Sequence, residues 1–211
     1  MAKRGSGSVL SQDGLILTNY HVIADDHQNL LNPQGLAFVG FTVDVREAPS
    51  IWYIAVFVTG DPVRDLAILR IVATEEGAPV QGAIFPTMTL GNSDQLVLGQ
   101  TIIGLGYPAV GGNTLTLTKG TMAGYESLGN VRLGKTDSEI APGSSGGAAL
   151  DEQGRLVGII RMVRTEERTQ GRLSYFVLLS EAESLIREAR FASQPRVDLS
   201  WILSYRPRLG P

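Results

Sequence analysis

Short apolar runs bounded by turn residues set the pattern of this chain. Ser8–Leu10, Leu15–Asn19, Leu36–Val45, Ile51–Thr59 and Leu66–Val72 form a first group, and Thr101–Leu105, Thr114–Lys119, Ala148–Leu150, Arg155–Val163 and Arg172–Leu179 a second. Asp13-Gly14, Gly60-Asp61-Pro62, Gly77-Ala78-Pro79, Gly111-Gly112-Asn113 and Gln153-Gly154 punctuate them. Strand-sized runs at this spacing predict an all-β sandwich or barrel rather than alternating βαβ units.

One segment has a different period. Ala182, Leu185, Ile186 and Ala189 fall three and four apart, on one face of a helix. Ser180 with Glu183 three residues on reads as a capping box. This predicts a C-terminal helix over 180–192 that packs on the strands and does no chemistry. Residues 193–211, with Pro195, Pro207 and Pro211 around Trp201-Ile202-Leu203, read as a docked tail or linker stub. Between the two strand groups, Ala73–Pro86 breaks the pattern. The expected organisation is therefore one β-barrel in 1–80 and a second in 81–179, with no internal sequence repeat.

Composition narrows the function classes. The 211 residues include 25 glycines, 21 Asp and Glu against 18 Lys and Arg, and no cysteine. A net charge of −3 without a basic block gives no footprint for nucleic acid. The longest apolar run, Ile51–Val58, falls well short of the ~18 residues that a membrane span needs. Without cysteine there is no disulfide, thiol catalysis or Cys-ligated zinc. With only His21 and His27, a histidine-rich metal site is not expected either, and no cofactor is implied.

The most unusual stretch is Ala141-Pro142-Gly143-Ser144-Ser145-Gly146-Gly147. A nucleophilic serine needs a tight exposed turn, and backbone N–H groups converging where a tetrahedral intermediate carries its negative oxygen. Glycines permit both, although they serve an ordinary hairpin turn equally well. A serine hydroxyl also needs a general base. His21, directly after an apolar strand, is one candidate, and a satisfied core histidine is the plain alternative. The base in turn needs a carboxylate to orient it. Asp65 stands just before a strand-like run, where a simple turn residue would also stand. Each of these three readings requires the other two.

In chain order, Gly5-Ser6-Gly7-Ser8, Asp13 through Val22, Arg64-Asp65-Leu66-Ala67-Ile68-Leu69, Leu90-Gly91-Asn92-Ser93-Asp94, Gly104-Leu105-Gly106-Tyr107-Pro108 and Thr136 through Gly147 resemble the HtrA/Deg family of trypsin-like serine proteases. Asp151 through Ile159 and Tyr175 through Leu178 continue the likeness, which covers about residues 5–190. The resemblance implies two tandem six-stranded antiparallel barrels with the active site between them. It assigns His21 as base, Asp65 as its orienting partner and Ser145 as nucleophile, in the chymotrypsin-type order. The N–H groups of Gly143 and Ser145 would form the oxyanion hole. Ser144 falls on the family's variable position before the serine, and Asp61 falls outside the Asp-Leu-Ala-Ile pattern.

The implied reaction is hydrolysis of unfolded or extended polypeptides through an acyl-enzyme on Ser145, as in protein quality control. By the same likeness the substrate strand pairs with Tyr175, Phe176, Val177 and Leu178. Ile140 and Val177 or its neighbours would line a shallow primary pocket for small aliphatic side chains, with Glu139 close enough to its base to matter. The chain departs from the family in Ser144, where asparagine is common, and in a long His21–Asp65 interval, which predicts an extended loop or hairpin within 25–58 with His27 at the surface. Four residues precede Gly5 where family members often carry a trimerisation segment, and no PDZ domain follows, so a monomer is expected. The family's habit points to a bacterial periplasmic, envelope or secreted location. Two other readings compete. One is a catalytically silent peptide-binding or scaffolding module on the same fold. The other is a nucleotide site at Gly104-Leu105-Gly106-Tyr107-Pro108-Ala109, which matches G-x-G-x-x-A but has Pro108 and further glycines where the required helix should begin.

Overall fold

The computed structural model describes residues 3–32, 35–109, 113–166 and 171–192. The tail 193–211 and Gly111-Gly112 of one predicted turn lie outside the described residues. Strands β1 (Ser8–Val9), β2 (Leu15–Thr18), β3 (Leu36–Phe41), β4 (Ile51–Asp61) and β5 (Leu66–Thr74) form an antiparallel sheet in the order β1-β2-β5-β4-β3. Strands β6 (Thr101–Gly106), β7 (Thr116–Leu128), β8 (Val131–Thr136), β9 (Ala148–Leu150), β10 (Leu156–Glu166) and β11 (Gly171–Leu178) close into a barrel in the order β10-β11-β8-β7-β6-β9. The all-β architecture with a C-terminal helix is as expected, and the second half is the expected six-stranded barrel. The first half has five strands among the described residues. Its β3–β4 hairpin, pairing Leu36 with Val56 through Phe41 with Ile51, occupies most of the long His21–Asp65 interval.

Alternation along β5 shows how the halves share a core. Leu66 and Ile68 face a cluster that also holds Leu17 of β2 and, from the barrel side, Ala148, Leu156 and Val177, while Ala67, Leu69 and Ile71 face the cluster inside the first sheet. The barrel's own interior holds Leu96, Ile102, Met122, Val157, Phe176 and Leu178. Being buried on both faces, β5 reads in sequence as a continuous apolar run rather than an alternating one.

Helix α2 (Glu183–Phe191) follows a 3₁₀ turn at Leu179–Ala182. Its predicted apolar face (Ala182, Leu185, Ile186 and Ala189) joins the shared core, and the helix packs on β4 and β5. The end of the second half is thus docked on the first. The predicted capping box is absent. Ser180 lies inside the 3₁₀ turn, and its hydroxyl meets Ser93 at 3.1 Å, Asp94 at 3.1 Å and Arg132 at 2.9 Å.

Candidate active site

Two turns of the first sheet bring the histidine and the carboxylate together. β2 runs into Asn19, which precedes the single helical turn α1 (Tyr20–Ile23) carrying His21. Asp65 stands at the entry to β5 in a left-handed conformation, φ 56°. Among non-glycine residues, aspartate and asparagine tolerate that region best. Oδ1 of Asp65 accepts the His21 backbone N–H at 2.9 Å, and Nδ1 of the imidazole lies 2.8 Å from Oδ2 and 3.1 Å from Oδ1. A carboxylate offers only acceptors, so Nδ1 is the donor, and in the neutral imidazole Nε2 is then the nitrogen with the free lone pair. Asp65 is buried, whereas the His21 side chain is 45% exposed, which leaves the imidazole open toward solvent.

The rival residues are occupied elsewhere. Asp61 accepts the N–H groups of Val63 and Arg64 and pairs with the Arg64 guanidinium, as a turn residue does. His27 is exposed beside Asp25. Asn19, to which the sequence reading gave no role, is fully buried and donates from Nδ2 to the Asp65 carbonyl at 2.8 Å, fixing the turn that presents the carboxylate.

The Gly143–Gly147 loop is held by the N-terminal strip. The Ser6 N–H donates to the Ser145 carbonyl at 2.8 Å. Its hydroxyl donates to the Gly143 carbonyl at 3.1 Å and accepts the Tyr107 N–H at 2.9 Å. Gly146, at φ +85°, lies so close that a Cβ there would collide with the Ser6 carbonyl and the Thr18 hydroxyl. Only glycine fits. Ser144 is buried against Gly106, while Ser145 is partly exposed.

The peptide before Gly143 has a defined orientation. The Pro142 carbonyl accepts the Ala109 N–H at 2.8 Å, and in a trans peptide the Gly143 N–H points the opposite way. Among the described residues, neither the Gly143 N–H nor the Ser145 N–H donates to a backbone carbonyl. The Gly104–Ala109 segment considered as a nucleotide motif is the end of β6 and the loop that holds Pro142, and among the described residues the next element is strand β7, not a helix.

Arg161 on β10 ties the parts together. Its backbone carbonyl accepts the Ser145 hydroxyl at 3.2 Å, and its guanidinium Nε lies 3.2 Å from Oδ2 of Asp65. Ser6 stood in the Gly5-Ser6-Gly7-Ser8 motif without a role, and nothing in the sequence pattern pointed to Arg161.

The predicted substrate segment needs correcting. Tyr175, Phe176, Val177 and Leu178 lie in β11, which is bonded to β10 along one edge and, from Ser174 to Val177, to β8 along the other. A closed barrel leaves no edge there for a further strand. All four side chains are buried, with the Phe176 ring wedged between Gly134 and Gly158. Ile140 is also buried, and Glu139 beside it is exposed. The free edge lies on β10. Opposite β11, that strand is paired by β9 only through Ile159, and Ile160 exchanges backbone hydrogen bonds with Gly146 and Gly147. Beyond Ser145's contact with Arg161, no strand covers this edge among the described residues.

The sequence family described as the trypsin-like peptidase domain matches residues 5–159. A probable periplasmic serine endoprotease, DegP-like, of Pseudomonas fulva is 29% identical over 202 residues, covering 94% of this chain and 36% of that protein. The mitochondrial serine protease HTRA2 of Bos taurus is 33% identical over 164 residues, covering 75% of this chain and 31% of its own length. Among solved structures, an HtrA-type protease AlgW with a decapeptide superposes with a TM-score of 0.68 at 27% identity, over 88% of this chain and 51% of that one. The chain spans about a third of the length of the curated relatives it matches. With a family match over most of its length and an HtrA-type relative on the same fold, this chain belongs to the trypsin-like peptidase domain family, among the homologues of the HtrA/DegP serine proteases.

Proposed function

We propose that this chain is a serine endopeptidase acting on extended polypeptides, with Ser145 as nucleophile, His21 as base and Asp65 as the group that orients it. One observation carries the reading. The Asp65 carboxylate holds Nδ1 of His21, and Arg161 links that carboxylate to the hydroxyl of a serine in a glycine-bordered loop. In this reading the Ser145 hydroxyl leaves the Arg161 carbonyl and turns to Nε2 of His21. Ser145 Oγ then adds to the peptide carbonyl as Nε2 takes its proton, and the Gly143 and Ser145 N–H groups stabilise the oxyanion. The imidazolium returns that proton to the leaving amine, giving an acyl-enzyme. Water, deprotonated by the same nitrogen, releases the acid.

The substrate strand is assigned to the open β10 edge at Arg161–Val163, a β-augmentation beside the nucleophile. This replaces the segment expected from the resemblance. The names of the relatives support a bacterial periplasmic or envelope setting, and the decapeptide in the AlgW structure supports a polypeptide as substrate. The test is hydrolysis of unfolded β-casein at neutral pH. Ser145→Ala should lower the rate about 10⁴-fold or more while Ser144→Ala keeps most of it. Equal rates in native protein and Ser145→Ala would overturn the nucleophile assignment. An inert native chain that also fails to react with a fluorophosphonate would favour a binding module.

A further inference from the structure

Arg161 stands in an unusual place. Oδ2 of Asp65, the oxygen nearest Nδ1 of His21, is also the oxygen nearest the Arg161 guanidinium, at 2.8 and 3.2 Å respectively. The arginine is held deep, with its side chain 16% exposed, and its Nη1 is buried with no hydrogen-bond partner among the described residues. A guanidinium cannot shed its charge to escape such a site. An orphaned buried donor is a cost that a neutral residue would avoid.

During acylation a second positive charge must form beside that same oxygen, when His21 takes the Ser145 proton. The two cations then share one carboxylate. Asp65 favours the imidazolium, while Arg161 repels it and draws on the same oxygen. The fixed charge therefore keeps the carboxylate oriented in the resting enzyme, yet raises the energy of the transition state in which the imidazole is charged. Substrate strand pairing uses the main chain of β10, so it does not depend on this side-chain charge.

We propose that Arg161 is a positioning residue that restrains the catalytic base: its guanidinium orders Asp65 at the expense of the His21 imidazolium, so that neutralising it speeds acylation without changing substrate binding. This rests on the serine-endopeptidase reading above. The test compares Arg161→Gln and Arg161→Met, which keep much of the stem and lose the charge, with Arg161→Lys, which keeps the charge. Steady-state hydrolysis of fluorescently labelled casein and the rate of Ser145 labelling by a fluorophosphonate are both measured.

Gln and Met should raise kcat by about 3- to 10-fold, the scale of a screened like-charge interaction, with KM within about twofold of native. Fluorophosphonate labelling should rise in parallel, and Lys, which keeps the charge, should show no such gain. A kcat that falls or stays level in the neutral variants overturns the proposal, as does an effect confined to KM. Failure of both neutral variants to fold assigns the guanidinium to stability and overturns it too. The two readings fail separately. If Ser145→Ala leaves hydrolysis intact, the endopeptidase reading fails. If Ser145→Ala abolishes it while the neutral variants gain nothing, only the role of Arg161 fails.

Discussion

Asp65 shows how much one residue is asked to do. It adopts a left-handed backbone, accepts the His21 N–H and holds Nδ1, and its own carbonyl is held by Asn19. Asparagine tolerates the same backbone, so Asp65→Asn should fold. Its amide can present a donor to Nδ1, which favours the wrong imidazole tautomer. We expect kcat to fall about 10⁴-fold with KM little changed, read in the same casein assay, and a loss under tenfold would remove Asp65 from the proposed mechanism. The proposed catalytic residues were legible only as a set: a histidine after a strand, an aspartate before one and a serine among glycines each have an ordinary reading alone, and the family motifs in chain order singled them out. No role was legible for Ser6, Asn19 or Arg161. Ser6 meets Gly143 across 137 positions, and Arg161 meets Asp65 across 96, so their roles exist only once the chain is folded.

At the scale of elements, burial on one face was readable and its exceptions were not. The helix was found from its apolar spacing, while its start was misread because the Ser180 hydroxyl is engaged by Ser93, Asp94 and Arg132. Tertiary partners outbid the local cap. Leu185 and Ile186 anchor α2 in the shared core. Leu185→Ala should cost about 2–5 kcal/mol, measured by urea unfolding, and a cost below about 1 kcal/mol would mean that the helix is not docked as seen.

The strands of the barrel were harder. β7 runs on to Leu128 and turns into β8, a strand the apolar pattern did not suggest. Its signal was present in the turn: Gly129-Asn130 connects the paired residues Leu128 and Val131, and Gly129 has φ +60°, as a two-residue hairpin requires. The sparse apolar content of β7, with many exposed positions along its length, concealed it.

For the whole molecule, what matters is how the halves are joined. Arg70 of β5 is buried, pairs with Asp13 and donates from Nη2 to the Ala189 carbonyl near the end of α2 at 3.0 Å. A cation suits a helix C-terminus, where carbonyls lack partners. Partial burial pushes the Asp13 carboxyl up, but hydrogen bonds from Ser11 and the charge and hydrogen bond of Arg70 outweigh it, so the group lies below the ordinary carboxylate value. The folded state therefore releases this proton more readily than the unfolded chain. Its stabilising contribution is complete above the unfolded value near 4 and is lost as pH falls through the lower folded value. Because Asp13 is half exposed, the effect is modest. Asp13→Asn should lower Tm by about 2–4 °C at pH 7, and the difference should shrink as pH falls below the unfolded carboxylate value near 4. A constant difference across that range would show that the pairing is not the cause.

Local period and residue type were enough to determine the all-β class, the two strand groups and the terminal helix, while the three candidate chemical residues were ordered only by the family resemblance. The class, the groups and the helix follow from contacts between near neighbours and from the two periods, 2 and 3.6, by which a chain buries one face. Closure was decided only in three dimensions. Hydrogen bonding of β11 on both sides removes it as a docking edge, leaves β10 open beside Ser145, and brings Arg161 onto the Asp65 carboxylate. Which edge is spent and which charge meets which depends on strand register between distant segments, and no local pattern encodes that.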